Sequence, residues 1–392
     1  MKTKILFVME SLGIGGAEKS LVTILSSLDY SKYDVDLLLF RESGAFMELL
    51  PKEVNLIKVS DDFRYFSSPP KESIAYFIKN KKINLLSQKI MSIIKVYFNR
   101  FVMKKEYIGW KHTQKSIKML DKHYDSAIGF LEKKTIYFVV DKVKADRKIG
   151  FIHTDYDKID YDFDTDNRYF KNLDNIITVS DSCKDGLVKI FKEHKEKVEV
   201  IQNIISPTVI KDMVKEDNSI IKEDIITIST IARLEKQKGI DIAIKCCEEL
   251  VKRDHKFKWI VVGEGSQREY LENSIKEKNL ESYFYLIGSK TNPYPYIDKS
   301  DIYVQPSRLE GFGITVAEAK VLQKPILVNN IAEFRNQIKD NNTGLIYTDE
   351  LDMVNKLELL ITNAKKRDEL INNLKEVDMN NLDEIKKLEK IL

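Results

Sequence analysis

The segment Ser307-Arg308-Leu309-Glu310-Gly311-Phe312-Gly313-Ile314-Thr315-Val316-Ala317-Glu318-Ala319 carries two glutamates eight residues apart, with Gly-Phe-Gly between them. Glycines there let bare backbone N–H groups approach a phosphate, while carboxylates accept hydrogen bonds from hydroxyl groups. A nucleotide-sugar offers both kinds of partner. Ile314, Thr315 and Val316 are predicted to form the first turn of a helix, whose free amides favour an anion. Carboxylates aimed at that anion would repel it, so Glu310 and Glu318 suit sugar hydroxyls. One precedes the helix and one lies within it, so they reach different parts of one extended ligand. A helix start with favourable acids would explain the glutamates at about a few tenths of a kcal/mol each. It gives no reason for Gly-Phe-Gly.

Other residues fit the same chemistry. Ala232-Arg233 ends an apolar run and Lys238-Gly239 opens the next helix. Two cations beside a helix N-terminus can clamp a diphosphate, although an Arg and a Lys in a turn are also ordinary surface. Gly263-Glu264-Gly265 permits either close backbone approach or a tight turn. Gly13-Ile14-Gly15-Gly16 follows the first apolar run directly. It fails as a dinucleotide fingerprint, because the third glycine would fall at Glu18, and reads as a loop bringing Gly15 and Gly16 backbone toward phosphate or acceptor. His153 follows the run 148–152 and is expected to hang from a strand end. The acid-rich run Asp155 to Asp166 fails as an EF-hand, with Asn167 for the loop glycine and Leu173 for the bidentate glutamate. It reads as a solvated acidic loop. Ser180 reads as a helix cap.

These residues need strand ends to hold them. Candidate strands are 4–9, 34–40, 54–59, 126–130, 148–152 and 175–179, then, after a restart, 225–231, 258–262, 283–287, 301–305 and 325–328. Helical stretches alternate with them, including 17–28 and 240–252. The alternation predicts an α/β fold of two doubly wound, mostly parallel sheets. The polar stretch 205–223 reads as the linker, giving domains of 1–207 and 208–379. Ligands of such sheets sit beyond the carboxyl ends of strands, so two facing domains are expected to share a cleft.

Composition is that of a soluble globular chain: 392 residues, 43% hydrophobic and 32% charged. No run is long enough to predict a membrane span, and Ile5 to Met9 is too short for a signal peptide. Cys183, Cys246 and Cys247 lack metal spacing and suggest no disulfide framework. A cytoplasmic setting is expected. The net charge of +3 hides an asymmetry: residues 79–122 hold 12 Lys or Arg against Glu106 and Asp121, a net of +10, leaving −7 elsewhere. Within it Ile83, Leu86, Ile90, Ile93, Tyr97 and Phe101 recur at helical spacing, flanked by Lys79, Lys81, Lys82, Lys89, Lys95, Arg100, Lys104 and Lys105. That predicts an amphipathic helix, either packed on the core with a solvated basic face or docked on anionic lipid. No nucleic-acid module is visible.

Several segments together resemble a known family. The E-x7-E frame of Glu310 and Glu318 resembles the signature of family 4 retaining glycosyltransferases, which have the two-domain GT-B fold. Gly13 to Glu18, Ala232-Arg233-Leu234 with Lys238-Gly239, Val261 to Gly265, and Ser300 to Ser307 resemble its other motifs in the same order. The segment Phe151-Ile152-His153-Thr154-Asp155-Tyr156 is similar to members acting on bacterial capsular and exopolysaccharide precursors. The resemblance implies transfer of a hexose-type sugar, with retention, from a UDP-sugar to a saccharide acceptor carried on lipid, with no essential metal and no other cofactor. It implies donor-diphosphate binding by Arg233 and Lys238, donor-sugar binding by Glu310 with the Phe312-Gly313 backbone, and phosphate binding by Ile314 and Thr315 amides. It also implies ribose binding by Glu318 and sugar contact near the reacting carbon by His153, with Gly15, Gly16 and Gly263 in the donor loops. The terminal helix, about 380–392, would return to the first domain. Gln323 and the turn Asn329-Asn330-Ile331-Ala332-Glu333 stand where the family often has glycine, which bears on donor choice. A related GT-B epimerase or phosphorylase, and a non-catalytic partner of another transferase, stay open. The membrane-docking alternative for 79–122 suits a lipid-borne acceptor at the inner face of the cell membrane.

Overall fold

The computed structural model describes residues 2–13, 15–98, 102–158, 161–216, 220, 222, 224–379, 381 and 383–392. Its contacts divide it into a unit of 1–203 with 383–392 and a unit of 204–382.

The first unit is built on seven parallel strands: β1 (Thr3–Met9), β2 (Tyr33–Leu39), β3 (Asn55–Ile57), β4 (His123–Gly129), β5 (Lys144–Ile152), β6 (Asn175–Thr178) and β7 (Val198–Val200). Their order is β3-β2-β1-β4-β5-β6-β7. Ile5 to Met9 are fully buried, as a continuous apolar strand requires when helices cover both faces of a sheet. The Asp383–Ile391 helix buries Ile385, Leu388 and Ile391 in this unit, and Ser126 Oγ donates to the Leu392 carbonyl at 2.7 Å.

The second unit has six parallel strands: β8 (Thr227–Ile231), β9 (Lys258–Val262), β10 (Phe284–Leu286), β11 (Ile302–Gln305), β12 (Ile326–Asn329) and β13 (Leu345–Tyr347). The order β10-β9-β8-β11-β12-β13 reverses direction between β8 and β11. That is the switch point, where open α/β sheets leave a crevice at their carboxyl ends. Ile228, Trp259, Val261, Ile302 and Val304 form the core with Ala243, Cys247 and Leu250 of the Ile240–Lys252 helix. Burial raises the thiol pKa of both Cys246 and Cys247, so they behave as small core hydrophobes.

Three expectations are corrected. Residues 205–223 are not simply a linker. Pro207–Glu216 is a helix of the second unit, burying Ile210 and Met213 at three-residue spacing, with proline in its first turn where the missing N–H costs nothing. The acidic run is not uniformly solvated. Asp155 and Asp166 are 2% exposed, and Asp166 accepts from Tyr137 (2.7 Å) and Tyr156 (3.2 Å). The third concerns the basic segment. The helix Ile83–Phe98 forms, and of the two placements open for its stripe the core-packed one is met only in part. Leu86 and Ile93 are half-buried, whereas Ile83 is 77% and Tyr97 82% exposed. Lys89, expected on the solvated flank, is buried, its Nζ donating to the carbonyls of Phe66 (2.7 Å) and Ser68 (3.0 Å). Arg100 and Phe101 lie outside the described residues, as do the side chains of Lys104 and Lys105.

Candidate active site

Two loops meet at the switch point of the second unit. After β8 the chain runs through Ala232, Arg233 and Leu234 into a short turn, Lys236–Lys238, and then Gly239. Gly239 has φ +69°, and a Cβ there would collide with the Pro306 carbonyl oxygen just past β11. Only glycine permits that approach, and it brings Lys238 against the 306–313 loop. Arg308 completes the join. Its N–H donates to the Gln237 carbonyl at 2.8 Å, and its guanidinium grips Asp241 through two bonds of 2.7 Å. Such a two-pronged pair fixes geometry as well as charge.

Lys238 Nζ donates to Glu310 Oε2 at 2.7 Å. Glu310 Oε1 accepts from Ser307 Oγ at 2.7 Å, and Ser307 Oγ accepts from Gln305 Nε2 at 3.0 Å. Gln305 Oε1 in turn accepts from the Tyr303 hydroxyl at 2.6 Å. Tyr303, Gln305 and Ser307 are all buried. The chain therefore has one direction, from phenol to amide to hydroxyl to carboxylate, ending on Glu310 as an acceptor. Asn329 Nδ2 adds a bond to the Ser307 carbonyl at 3.0 Å.

Gly313 (φ +81°) starts the Ile314–Val321 helix. Its carbonyl accepts from Val316 N–H (3.0 Å), so the amides of Ile314 and Thr315 precede the first helical bond and stay available, as at any helix start. Gln337 Nε2 donates to the Phe312 carbonyl and fixes the loop from behind. Glu318, one turn into the helix, is 1% exposed, and its Oε1 accepts from the Tyr294 hydroxyl at 3.0 Å. Burial, reinforced by the charge of Glu318, holds the Tyr294 phenol well above its ordinary pKa, so it stays a donor. Arg233 is exposed, and Gly263 lies against the Ala232 carbonyl. Glu235, between the cations, has its pKa lowered by hydrogen bonds from Ser266, with a contribution from Arg233.

Of the predicted residues, Arg233, Lys238, Gly263, Glu310, Phe312, Gly313, Ile314, Thr315 and Glu318 belong to the second unit; Gly15, Gly16 and His153 belong to the first. Gly15 precedes the Gly16–Ser27 helix, and a Cβ at Gly15 would collide with the Glu18 carboxylate. His153 follows β5. Its N–H donates to Glu132 Oε2 at 3.2 Å, and the Thr154 hydroxyl donates to Glu132 Oε1 at 2.9 Å. The ring packs on Phe130, centroids 5.1 Å apart. Burial pulls the imidazole down to about 4, against the opposing charge of Glu132, so the ring is neutral near pH 7. Ser180 Oγ caps the Asp181–Ile190 helix by accepting from Cys183 N–H at 3.2 Å. Among the described residues no group of three or more His, Cys, Asp or Glu is arranged to hold a metal ion.

Sequence reasoning missed Tyr294, Tyr303, Gln305, Ser307, Arg308 and Gln337. Three of them left a signal: Tyr303, Gln305 and Ser307 alternate, so they share one side of an extended chain.

Known proteins resemble this chain in sequence and in structure. Residues 212–377 match the family model for glycosyl transferases group 1. The O-antigen biosynthesis glycosyltransferase WclY of Escherichia coli is 35% identical over 114 residues, 29% of this chain and 31% of that protein. The chain thus spans about a third of that relative's length. A Campylobacter jejuni protein, named as an α-1,4-N-acetyl-D-galactosaminyltransferase for a saccharide on PP-undecaprenol, is 23% identical over 377 residues, 95% of this chain and 93% of that one. Anabaena HepE, solved with UDP and glucose, superposes with a TM-score of 0.68 at 16% identity, over 99% of this chain and 98% of that chain. The fold is GT-B.

Proposed function

We propose that the chain, whose residues 212–377 match the family model for glycosyl transferases group 1, transfers a hexose-type sugar from a UDP-sugar to a lipid-linked saccharide, with retention, in bacterial surface polysaccharide synthesis. The observation that supports this best is the joined pair Lys238–Glu310 beside the open amides of Ile314 and Thr315, at the switch point of the sheet.

Arg233, Lys238 and those amides take the donor diphosphate. Glu310 and the Phe312-Gly313 backbone take the sugar, and Glu318 takes the ribose. The bond from the anomeric carbon to the diphosphate oxygen breaks while the acceptor hydroxyl oxygen bonds to the same face of that carbon. The acceptor proton passes to the departing diphosphate, so no side chain acts as nucleophile and no metal is required. Cations and amides fixed in advance stabilise the leaving charge, commonly the largest catalytic term. His153 is the residue of the first unit assigned to sugar contact. Residues 79–122, with their positive charge, are assigned to an anionic membrane surface, consistent with a lipid-borne acceptor and a site of action at the inner face of the cell membrane.

A panel of nucleotide-sugars, read by nucleotide release with and without acceptor, tests the reading. Release from one UDP-sugar that depends on acceptor and is abolished in Glu310→Ala is expected. Release untouched by that substitution would refute the site. Epimerised or phosphorolysed product without transfer would refute the activity.

A further inference from the structure

The Ile83–Phe98 helix holds no acidic residue and turns apolar side chains both ways. Leu85, Leu86, Ile93 and Val96 are half-buried, and Lys89 and Ser92 are buried. On the other side Ile83, Ile90, Met91, Ile94, Tyr97 and Phe98 are exposed, Tyr97 and Phe98 at 82% and 77%. At about 3.6 residues per turn these six fall on one continuous face. A helix apolar over so much of its circumference is ordinarily buried or in lipid, and exposed patches of this kind mark contact surfaces.

The rotation of the helix is fixed. The Lys89 ammonium reaches inward to the carbonyls of Phe66 and Ser68, and His112 Nδ1 meets Gln88 Oε1 at 2.8 Å. Rolling Ile83 and Tyr97 inward would break these bonds. The exposed face is therefore built into the fold.

We infer that this face inserts, lying flat, into the headgroup region of an anionic bilayer. The inference rests on the membrane-surface reading above and names its contact: apolar insertion, with charge as the guide. No described helix is long and apolar enough to cross a membrane, so a helix of this kind lies along the surface. Charge selects lipid over a second copy of this chain. Lys79, Lys81 and Lys95 are exposed around the face, in a segment of net +10. Two such faces brought together would repel, whereas anionic headgroups attract both. Tyr97 and Phe98 close the helix with the aromatic pair that interfacial positions favour.

Flotation of the full chain with vesicles of one-third phosphatidylglycerol in phosphatidylcholine tests this. Wild type is expected to float and to stay bound at roughly 0.5 M salt, where exposed charges are largely screened. The triple substitution Ile90→Ser, Ile94→Ser and Phe98→Ser is expected to lower the partition about tenfold or more, with an unchanged circular dichroism melt and unchanged transfer to a soluble acceptor. Tyr97→Trp is expected to shift its emission to the blue on the vesicles. Undiminished binding of the triple variant, with loss in salt, would overturn insertion and leave the electrostatic reading standing. No binding by wild type would overturn both. A wild-type dimer that the triple substitution dissolves, without vesicle binding, would assign the face to a second copy instead.

Discussion

Lys238 Nζ and Glu310 Oε2 stand 2.7 Å apart, with the two side chains only 15% and 10% exposed. The ammonium assigned to the donor diphosphate therefore also orients the carboxylate assigned to the donor sugar. Lys238→Ala and Glu310→Ala should each lower kcat/KM by at least about 100-fold, and the double variant should lose far less than the product of the two. Either single change leaves a half-buried partner charge, at a stability cost of roughly 2 kcal/mol. Steady-state kinetics and urea unfolding of the four proteins check this; strictly additive losses would mean that the pair does not act as a unit.

Tyr294→Phe removes the hydrogen bond to Glu318 Oε1, the carboxylate assigned to the ribose, while leaving every side chain assigned to the donor in place. A buried carboxylate deprived of a donor costs about 1–3 kcal/mol. Weaker UDP binding by calorimetry is expected, with KM for the donor rising several-fold and kcat changing little. An unchanged UDP affinity would show that the Tyr294 bond serves packing alone.

Gly239→Ala tests the junction of the two loops. Its φ of +69° and the neighbouring Pro306 carbonyl leave no room for a methyl group, and the obstacle is backbone. Destabilisation of about 1–3 kcal/mol and near-complete loss of transfer are expected, because Lys238 is displaced from Glu310. Gln237→Ala, two residues earlier in the turn, should leave both almost unchanged. Thermal melts and nucleotide release decide.

The depressed pKa of His153 has a direction in pH. Its folded value lies below the ordinary 6.5, near 4, because burial disfavours the imidazolium. The unfolded chain then binds the proton first, so stability is full above about pH 6.5 and falls as pH drops toward 4, by up to about 1.4 kcal/mol per unit. Between pH 7.5 and 5, urea midpoints of wild type should fall further than those of His153→Asn. Equal falls would place the acid sensitivity elsewhere.

The long buried strands were legible because five consecutive apolar residues, as in Ile5 to Met9, have few other uses. The edge strands β7 and β13, three residues each, were not; β3 and β10 are as short, but they sit inside the longer candidate runs 54–59 and 283–287. The Pro207–Glu216 helix reads as linker in the sequence because polar residues outnumber its apolar stripe of Ile210, Met213 and Val214. Within the site, residue types pointed to Glu310 and Glu318, but types alone could not show that Lys238 would be spent partly on Glu310. That depends on Gly239 meeting Pro306, a contact between loops that are distant in sequence. For the Ile83–Phe98 helix the period is legible and the direction is left open: periodicity finds a stripe but does not say which side of it meets the protein.

The Asp383–Ile391 helix bears on the order in which the molecule can be made. It belongs to the first unit, where Glu384 Oε2 accepts from Gln202 N–H at 2.9 Å and Leu388 is fully buried. A ribosome delivers residues 383–392 only after the whole second unit, so the half that is synthesised first is completed last. During translation the emerging first unit has an uncovered apolar seat waiting for Ile385, Leu388 and Ile391, while the second unit can close as soon as its own strands are out. A nascent chain stalled before residue 383 should accordingly present the second unit folded and the first unit open to chaperones.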